Sequence, residues 1–246
     1  MTFYQHLLKA TEPDRNALLT LPVITRGATG QLSLETYVAF LSQAYHHVKH
    51  TVPLLMATGT RLQEHYEWLR VAIGEYIEEE MGHQEWILND INACGFDSNY
   101  VRNAKPSAAT ELMVAYAYDM VNRVNPIGFF GMVLVLEGTS TAVASQAAKS
   151  ISKSLNLASD CFSYLASHGA LDIEHTQFYE DIVNKISDEK DQQLLIHSAK
   201  VFYKLYADIF RDIDQQSQMN EAQVIQTKIK QTLVTQTLLQ QSYVEA

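Results

Sequence analysis

The chain has little of what a strand-rich fold or a nucleic-acid-binding surface requires. Only 10 glycines and 5 prolines occur in 246 residues, and these are too few turn-forming residues to connect many short strands. Basic residues are scarce too, since 18 Lys and Arg stand against 28 Asp and Glu, giving a formal net charge of −10. Proteins that bind DNA or RNA through phosphates need a basic face. Nucleic acid is therefore not an expected partner.

Cysteines and targeting signals are also nearly missing. Cys94 and Cys161 are the only two cysteines and form no CxxC motif, so we expect reduced, structural thiols rather than a disulfide framework or zinc site. The N-terminus has acidic residues and no apolar core typical of a signal peptide. No apolar run approaches the ~18 residues that span a bilayer. We expect a cytoplasmic protein with no membrane partner.

What is present favours a single all-α domain over residues 1–246. Hydrophobic residues make up 47% of the chain, enough for one large core, and long stretches of Ala, Leu, Glu, Gln and Met favour helix. We expect a core bundle over about 33–215 and a separate amphipathic helix over about 221–242. That last helix either packs across the bundle or meets a second subunit, as in a homodimer. Helices are predicted over 3–19, 33–56, 62–94, 108–124, 127–152, 157–167, 171–186 and 189–214.

Three motifs carry residues that suit a metal site. In YIEEEMGHQEW, Glu80 lies three residues before His83 and Glu79 lies four before it, so either carboxylate could chelate together with the imidazole on one helix. The alternative is a solvated acidic patch that ends in a surface histidine. Glu137 lies within the apolar segment GFFGMVLVLEGTSTAVA, where a carboxylate must be paired, protonated or metal-bound.

The third motif is SHGALDIEHTQFY, which places three further candidate ligands on one predicted helix face. His168, Asp172 and His175 fall at i, i+4 and i+7, so they face the same way if the helix continues through Gly169. The alternative is an exposed polar helix face that happens to carry two histidines.

Together these motifs offer three carboxylates and three imidazoles from three predicted helices, a set that suits two metal ions. Mixed oxygen and nitrogen ligands without a thiolate favour iron or manganese over structural zinc. Ferritin-like bundles use a Glu-x-x-His motif twice. Here that motif occurs once, and an HxxxDxxH motif replaces the second copy. The set is Glu80, His83, Glu137, His168, Asp172 and His175.

This order of motifs resembles the haem-oxygenase-like diiron oxidases, in particular the UndA-like fatty-acid decarboxylases, over about residues 33–215. TenA thiaminases and the oxidase PqqC are broader relatives by fold. The resemblance implies a haem-oxygenase-like (TenA/PqqC-like) multi-helix bundle. It also implies two Fe ions cycling between Fe(II) and Fe(III), with Mn as an alternative, and O₂ as a reactant. Glu137 is then the best candidate for a bridging, catalytic carboxylate.

Two other functions stay open at this point. One is a TenA-like thiaminase or salvage hydrolase with a cysteine nucleophile, although Cys161 in ASDCFSYL looks like a core residue. The other is a metal-free bundle that binds a small molecule in the same cavity. His46 and His50 lie four apart and either line the cavity, supply a haem ligand or sit on the helix surface.

The expected substrate is a small organic molecule, and the sequence leaves its class open among fatty acid, amino acid and cofactor precursor. Aromatic residues at helical spacing either line an apolar pocket or belong to the core. They are Phe129, Phe130, Tyr164 and Tyr179.

Overall fold

The computed structural model describes the backbone of residues 1–244 and the side chains of 1–167, 176–220, 222 and 223. Within these residues all regular structure is helical, which confirms the predicted all-α class. The α-helices are α1 Phe3–Leu19, α2 Pro22–Thr29, α3 Leu34–Val48, α4 Thr51–Arg61, α5 Glu67–Glu80, α6 His83–Ala93, α7 Ser98–Asn103, α8 Ala108–Asp119, α9 Phe130–Leu155, α10 Ser163–Asn184 and α11 Glu189–Val244.

Helix α9 is the central element of the bundle, as its apolar sequence predicts. It packs against α2, α10 and α11. The approach to α11 depends on Gly131, because a Cβ there would lie 2.6 Å from the backbone nitrogen of Ala199. Gly30 similarly allows α2 to approach α9, since its φ is +72° and a Cβ would lie 2.6 Å from the carbonyl oxygen of Ser150. Two small residues therefore set how closely the helices meet.

Helix α9 is also part of a segment that is a candidate membrane span by its length and composition, although no such segment was expected from the sequence. The helical segment Pro126–Leu155 is long and apolar enough to cross a membrane, so the expectation that no such segment exists is wrong. About half of its most apolar stretch, 56%, is buried inside the bundle. That burial is typical of the core helix of a folded domain, which passes the same test.

Several helix ends differ from the prediction because local breaks are stronger than periodicity suggests. The segment LPVITRGATGQ, expected to be irregular, contains α2, which begins with Pro22 at its first position. The helix predicted over 33–56 is divided into α3 and α4 by a break at Lys49 and His50, and Pro53 lies in the first turn of α4. The N-terminal helices also belong to the core, since Leu7 and Leu18 are fully buried.

The last two helices are longer than predicted. Helix α10 continues through Gly169 where two helices were expected, and α11 runs unbroken from Glu189 to Val244. The separate helix predicted over 221–242 is therefore the end of α11, which at about 1.5 Å per residue is roughly 84 Å long. The prediction that this end meets a second subunit falls on side chains outside the described residues.

Candidate functional site

An apolar cavity of about 140 Å³ lies along α9. The residues of α9 that line it run from Met132 to Ile151, on the order of 30 Å of helix. Helices α2, α3, α4 and α11 supply further apolar walls, including Val23, Leu55 and Phe210. Such a cavity suits a ligand with an elongated apolar body.

Two carboxylates interrupt this apolar lining, and both were predicted from the sequence. Glu80 and Glu137 contribute to the same cavity wall, although 57 positions separate them in the chain. A carboxylate in an apolar wall is costly unless it has a hydrogen-bonding, ionic or metal partner. The structure therefore brings two of the six predicted ligands to one cavity.

Glu80 and His83 do not lie on one continuous helix as predicted. Helix α5 ends at Glu80 and α6 begins at His83, with Gly82 between them at φ +95°. This left-handed glycine turns the chain so that His83 Nδ1 lies 3.1 Å from Glu80 Oε2. His83 is 2% exposed, whereas the neighbouring Glu79 side chain is exposed. Glu80 is therefore the carboxylate that pairs with the imidazole.

Tyrosines surround the other carboxylate, Glu137. Tyr76 also lines the cavity, and its pKa is raised by burial first and by the Glu137 charge second. The Tyr179 pKa is raised by the same two causes, while its hydroxyl donates a 2.8 Å hydrogen bond to the Phe130 carbonyl. Both phenols stay protonated, so Tyr76 presents a neutral donor on the side of Glu137.

The HxxxDxxH motif lies on α10, whose backbone is helical throughout. Positions 168, 172 and 175 therefore share one stripe, as the spacing predicts. The side chains of His168, Asp172 and His175 lie outside the described residues, and their role as ligands stays a prediction.

A buried carboxylate fixes the start of α10. Asp90 is fully buried on α6 and accepts hydrogen bonds from the Tyr164 amide at 2.9 Å, the Ser163 amide at 3.0 Å and the Ser163 hydroxyl. Asp90 and His83 lie seven positions apart on α6 and are both buried. Helix α6 thus carries a candidate ligand and holds the helix that bears the HxxxDxxH motif, a connection that the sequence analysis missed.

The histidine that reaches the cavity is His47 rather than His46 or His50. His47 lines the cavity wall with its ring 5.8 Å from that of Tyr206. His46 and His50 do not belong to the described lining, and their Nδ1 atoms contact Lys49 Nζ and the Tyr118 hydroxyl. Of the possibilities left open for His46 and His50, lining the cavity is therefore not the one that the described residues show.

The aromatic residues and cysteines divide between cavity and core. Phe129 and Tyr164 contribute to the lining, whereas Phe130 and Tyr179 are core residues. Cys94 and Cys161 are buried free thiols outside the described cavity lining. Burial is the largest cause that raises their pKa values, that of Cys94 to about 12. Neither thiol is placed or activated as a nucleophile for a ligand in the cavity.

The described donors suit iron by their chemistry. A carboxylate–imidazole pair and a second carboxylate are hard oxygen and nitrogen donors without a thiolate. Among residues with described side chains, no group of three or more His, Cys, Asp or Glu is assembled. A complete metal site would therefore need donors from α10 beside Glu80, His83 and Glu137.

Comparisons with known proteins agree with this fold. The chain is similar to a domain of unknown function with a haem oxygenase-like fold from Shewanella denitrificans, with 22% identity, 90% of this chain and 95% of that chain covered, and a TM-score of 0.79. The chain is also similar to a TenA homologue from Pseudomonas syringae, with 11% identity, 87% of this chain and 93% of that chain covered, and a TM-score of 0.75. A third similar structure is haem oxygenase-1 from Synechocystis in complex with haem, with 11% identity, 93% of this chain and 100% of that chain covered, and a TM-score of 0.72. These likenesses show the haem oxygenase-like fold.

At the level of sequence, none of the curated proteins matches this chain. A family model described as "iron-containing redox enzyme" matches residues 38–207, more than half of the chain. The chain belongs to this family of iron-containing redox enzymes. The matched range includes Glu80, His83, Glu137 and the HxxxDxxH segment.

Proposed function

We propose that this member of the iron-containing redox enzyme family is a non-haem diiron oxidase that uses O₂ to oxidise a small organic substrate. The observation that carries the proposal is the pair of carboxylates, Glu80 and Glu137, in the wall of an otherwise apolar cavity. The family supports iron, and the diiron assignment rests on the six-residue set predicted from the sequence.

In this proposal, the metal ions would be held by Glu80, His83, Glu137, His168, Asp172 and His175, with Glu137 as the candidate catalytic carboxylate. When bound, iron would supply O₂ activation and redox chemistry. Manganese is the alternative metal.

The chain's own residues have three roles in this chemistry. The Glu80 carboxylate lies 3.1 Å from His83 Nδ1, so it can hold the imidazole orientation and leave Nε2 as the donor nitrogen. Tyr76 stays protonated beside Glu137 and can donate a hydrogen bond that orients that carboxylate. The apolar walls exclude water and seat the apolar body of the substrate.

The shape of the cavity narrows the substrate class. Since its lining extends along much of α9 with Glu137 nearer the Met132 end than the Ile151 end, an extended apolar molecule fits better than a compact polar one. We therefore favour a substrate with an aliphatic or aromatic body over a free polar amino acid.

The first test is iron content and optical spectra of protein purified anaerobically, reconstituted with Fe(II) and then exposed to O₂. We expect about two irons per chain, as two metal ions per bundle site require, and a transient visible band. The His168→Ala, His175→Ala double variant and Glu137→Ala should each lose iron. Unchanged iron stoichiometry in Glu137→Ala would remove that residue from the site.

A matched pair of variants tests the Glu80 assignment. Glu80→Gln and Glu79→Gln remove the same charge from neighbouring positions, but only Glu80 lines the cavity. We expect Glu80→Gln to lose iron and Glu79→Gln to retain it. Equal loss from both would point to net charge rather than ligation, and no iron in the wild type would favour a metal-free binding protein.

A further inference from the structure

A tyrosine on α11 brings a hydroxyl group into the apolar wall of the cavity. Tyr206 lines the cavity and is only 7% exposed. Its ring packs edge-on against Phe210, with the ring centres 4.9 Å apart, and against His47, with the ring centres 5.8 Å apart. The ring is therefore fixed by its neighbours, and only the hydroxyl distinguishes this residue from a phenylalanine.

The Tyr206 hydroxyl has no hydrogen-bond partner among the residues that the structure describes. Two other hydroxyls in the same wall already donate, that of Tyr37 to the Cys161 carbonyl at 2.8 Å and that of Thr139 to the Val135 carbonyl at 2.6 Å. A buried hydroxyl without a partner destabilises the folded state. A phenylalanine would fill the same volume without this cost, so a partner supplied by a ligand would explain the tyrosine.

Tyr206 lies apart from the two carboxylates of the cavity. Burial is the only cause that raises the pKa of Tyr206, whereas the Glu137 charge also raises the pKa of Tyr76. Because electrostatic interactions weaken with distance, Tyr206 is farther from Glu137 than Tyr76 is. A ligand that reaches both places must therefore carry its hydrogen-bonding group away from the part that faces Glu80 and Glu137.

The surroundings of Tyr206 favour a neutral partner over a charged one. The described part of the lining contains no Lys or Arg, so a ligand carboxylate beside Tyr206 would be buried without a basic side chain of either type. A carbonyl or hydroxyl oxygen accepts a hydrogen bond from a phenol without that cost. The neighbouring wall is aromatic, with Phe40 stacked on Phe210 at 5.9 Å, and suits the hydrocarbon part of a ligand.

We propose that Tyr206 is a substrate-recognition residue, whose hydroxyl donates a hydrogen bond to a neutral carbonyl or hydroxyl oxygen of an elongated, otherwise apolar substrate. The inference rests on the proposed function, because it assigns the substrate class of the same cavity. A pure hydrocarbon of the same shape would leave the hydroxyl unpaired, and a site with a buried polar group discriminates against such a ligand.

Ligands that differ by one oxygen test this assignment in the full chain. Benzylacetone and butyrophenone carry a carbonyl group at different positions of an aryl-alkyl body, and butylbenzene carries none. We expect isothermal titration calorimetry to show binding of at least one ketone to the wild type. Tyr206→Phe should weaken that binding about 3–10-fold, the effect of one neutral hydrogen bond, and should not weaken the binding of butylbenzene.

A second tyrosine on α11 provides the matched control. Tyr203 is also buried, at 2% exposed, but it lies outside the described lining, so Tyr203→Phe should leave the affinities for ketone and butylbenzene unchanged. The inference is overturned if neither ketone binds the wild type, or if Tyr206→Phe leaves ketone affinity unchanged. It is also overturned if Tyr206→Phe weakens ketone and butylbenzene equally, because the loss would then come from packing.

Thermal unfolding without ligand gives a result that does not depend on the choice of probe. Tyr37→Phe breaks a hydrogen bond and should lower Tm by about 2–4 °C. Tyr206→Phe breaks none among the described residues and should not lower Tm. An equal fall in both variants would show that the Tyr206 hydroxyl already has a partner in the free protein, which would overturn the inference.

Iron content separates this inference from the proposed function. Tyr206→Phe should retain the iron that Glu137→Ala is expected to lose, since Tyr206 lies apart from the carboxylates. A wild type without iron would refute the diiron proposal alone, because ketone binding is measured without turnover. Ketone binding that ignores the Tyr206 hydroxyl, in a protein that holds iron, would refute the substrate assignment alone.

Discussion

Asp90 is a buried carboxylate on which the position of α10 depends, and its removal should be among the more destabilising single changes in this chain. It satisfies two backbone amides and one hydroxyl at the start of that helix while being fully buried. In Asp90→Ala no other acceptor replaces it, because no side chain on the N-terminal side of α10 caps the helix.

The size of the effect follows from these contacts. A lost helix cap costs about 1 kcal/mol, and each buried donor left without a partner costs about 1–3 kcal/mol. Burial raises the pKa of Asp90 despite its hydrogen bonds, because a charged carboxylate is costly to bury. Removing this buried carboxylate therefore offsets part of the loss in stability. We expect a net loss of about 3 kcal/mol, which for a chain of this size lowers Tm by roughly 6–12 °C.

The assay is urea and thermal unfolding of the wild type, Asp90→Ala and Asp97→Ala. Asp97 also caps a helix, with a 2.9 Å hydrogen bond from the Asn99 amide, but it is exposed, so its loss should cost about 1 kcal/mol. If Asp90→Ala were no more destabilising than Asp97→Ala, the argument from burial would be refuted. If the diiron proposal holds, Asp90→Ala should also retain less iron.

The same residue predicts a pH dependence. Because the folded-state pKa of Asp90 is raised, its stabilising contribution is fully present below the unfolded pKa of about 4 and is lost as pH rises through the folded value. Asp90→Asn lacks this titration. The difference in unfolding free energy between wild type and Asp90→Asn should therefore shrink as pH rises above about 4, and a constant difference would contradict the raised pKa.

Two further predictions concern packing and a buried hydrogen bond, and both are measured by urea unfolding. Gly131→Ala should cost about 2–3 kcal/mol because its Cβ would press on α11, whereas Gly138→Ala on the same helix has open space and should stabilise by up to about 1 kcal/mol. Tyr66→Phe should cost about 1.5–3 kcal/mol by removing the 2.5 Å hydrogen bond to Asp191, while Tyr100→Phe, 75% exposed, should cost almost nothing. Equal effects within either pair would contradict these assignments.

The helices that carry strong local signals could be predicted from the sequence. Helix α1 begins and ends at the predicted residues, and Ser33 caps α3 by accepting a hydrogen bond from the Thr36 amide. Gly95, at φ +84°, follows the end of α6, which lies one residue from the predicted helix end at 94. In these cases a cap or a glycine marks the end of a helix, and such signals are local.

Breaks inside apolar, periodic segments could not be predicted in the same way. The turn at Met81 and Gly82 separates α5 from α6 although the residues around it are good helix formers. A glycine inside a helical pattern is compatible with a continuous helix, so tertiary packing decides. Glu80 and His83 still come together, but because of the turn rather than because of helical spacing.

The choice among three neighbouring histidines depends on a similar break. On one straight helix, His46 and His50 would share a face, and the cavity-lining residues His47, Thr51 and Leu55 would share another by the same spacing of four. Periodicity alone therefore gives two equivalent stripes and cannot say which one faces the cavity. The packing of α3 and α4 decides in favour of the stripe that begins with His47, and this leaves His46 and His50 with Lys49 and Tyr118.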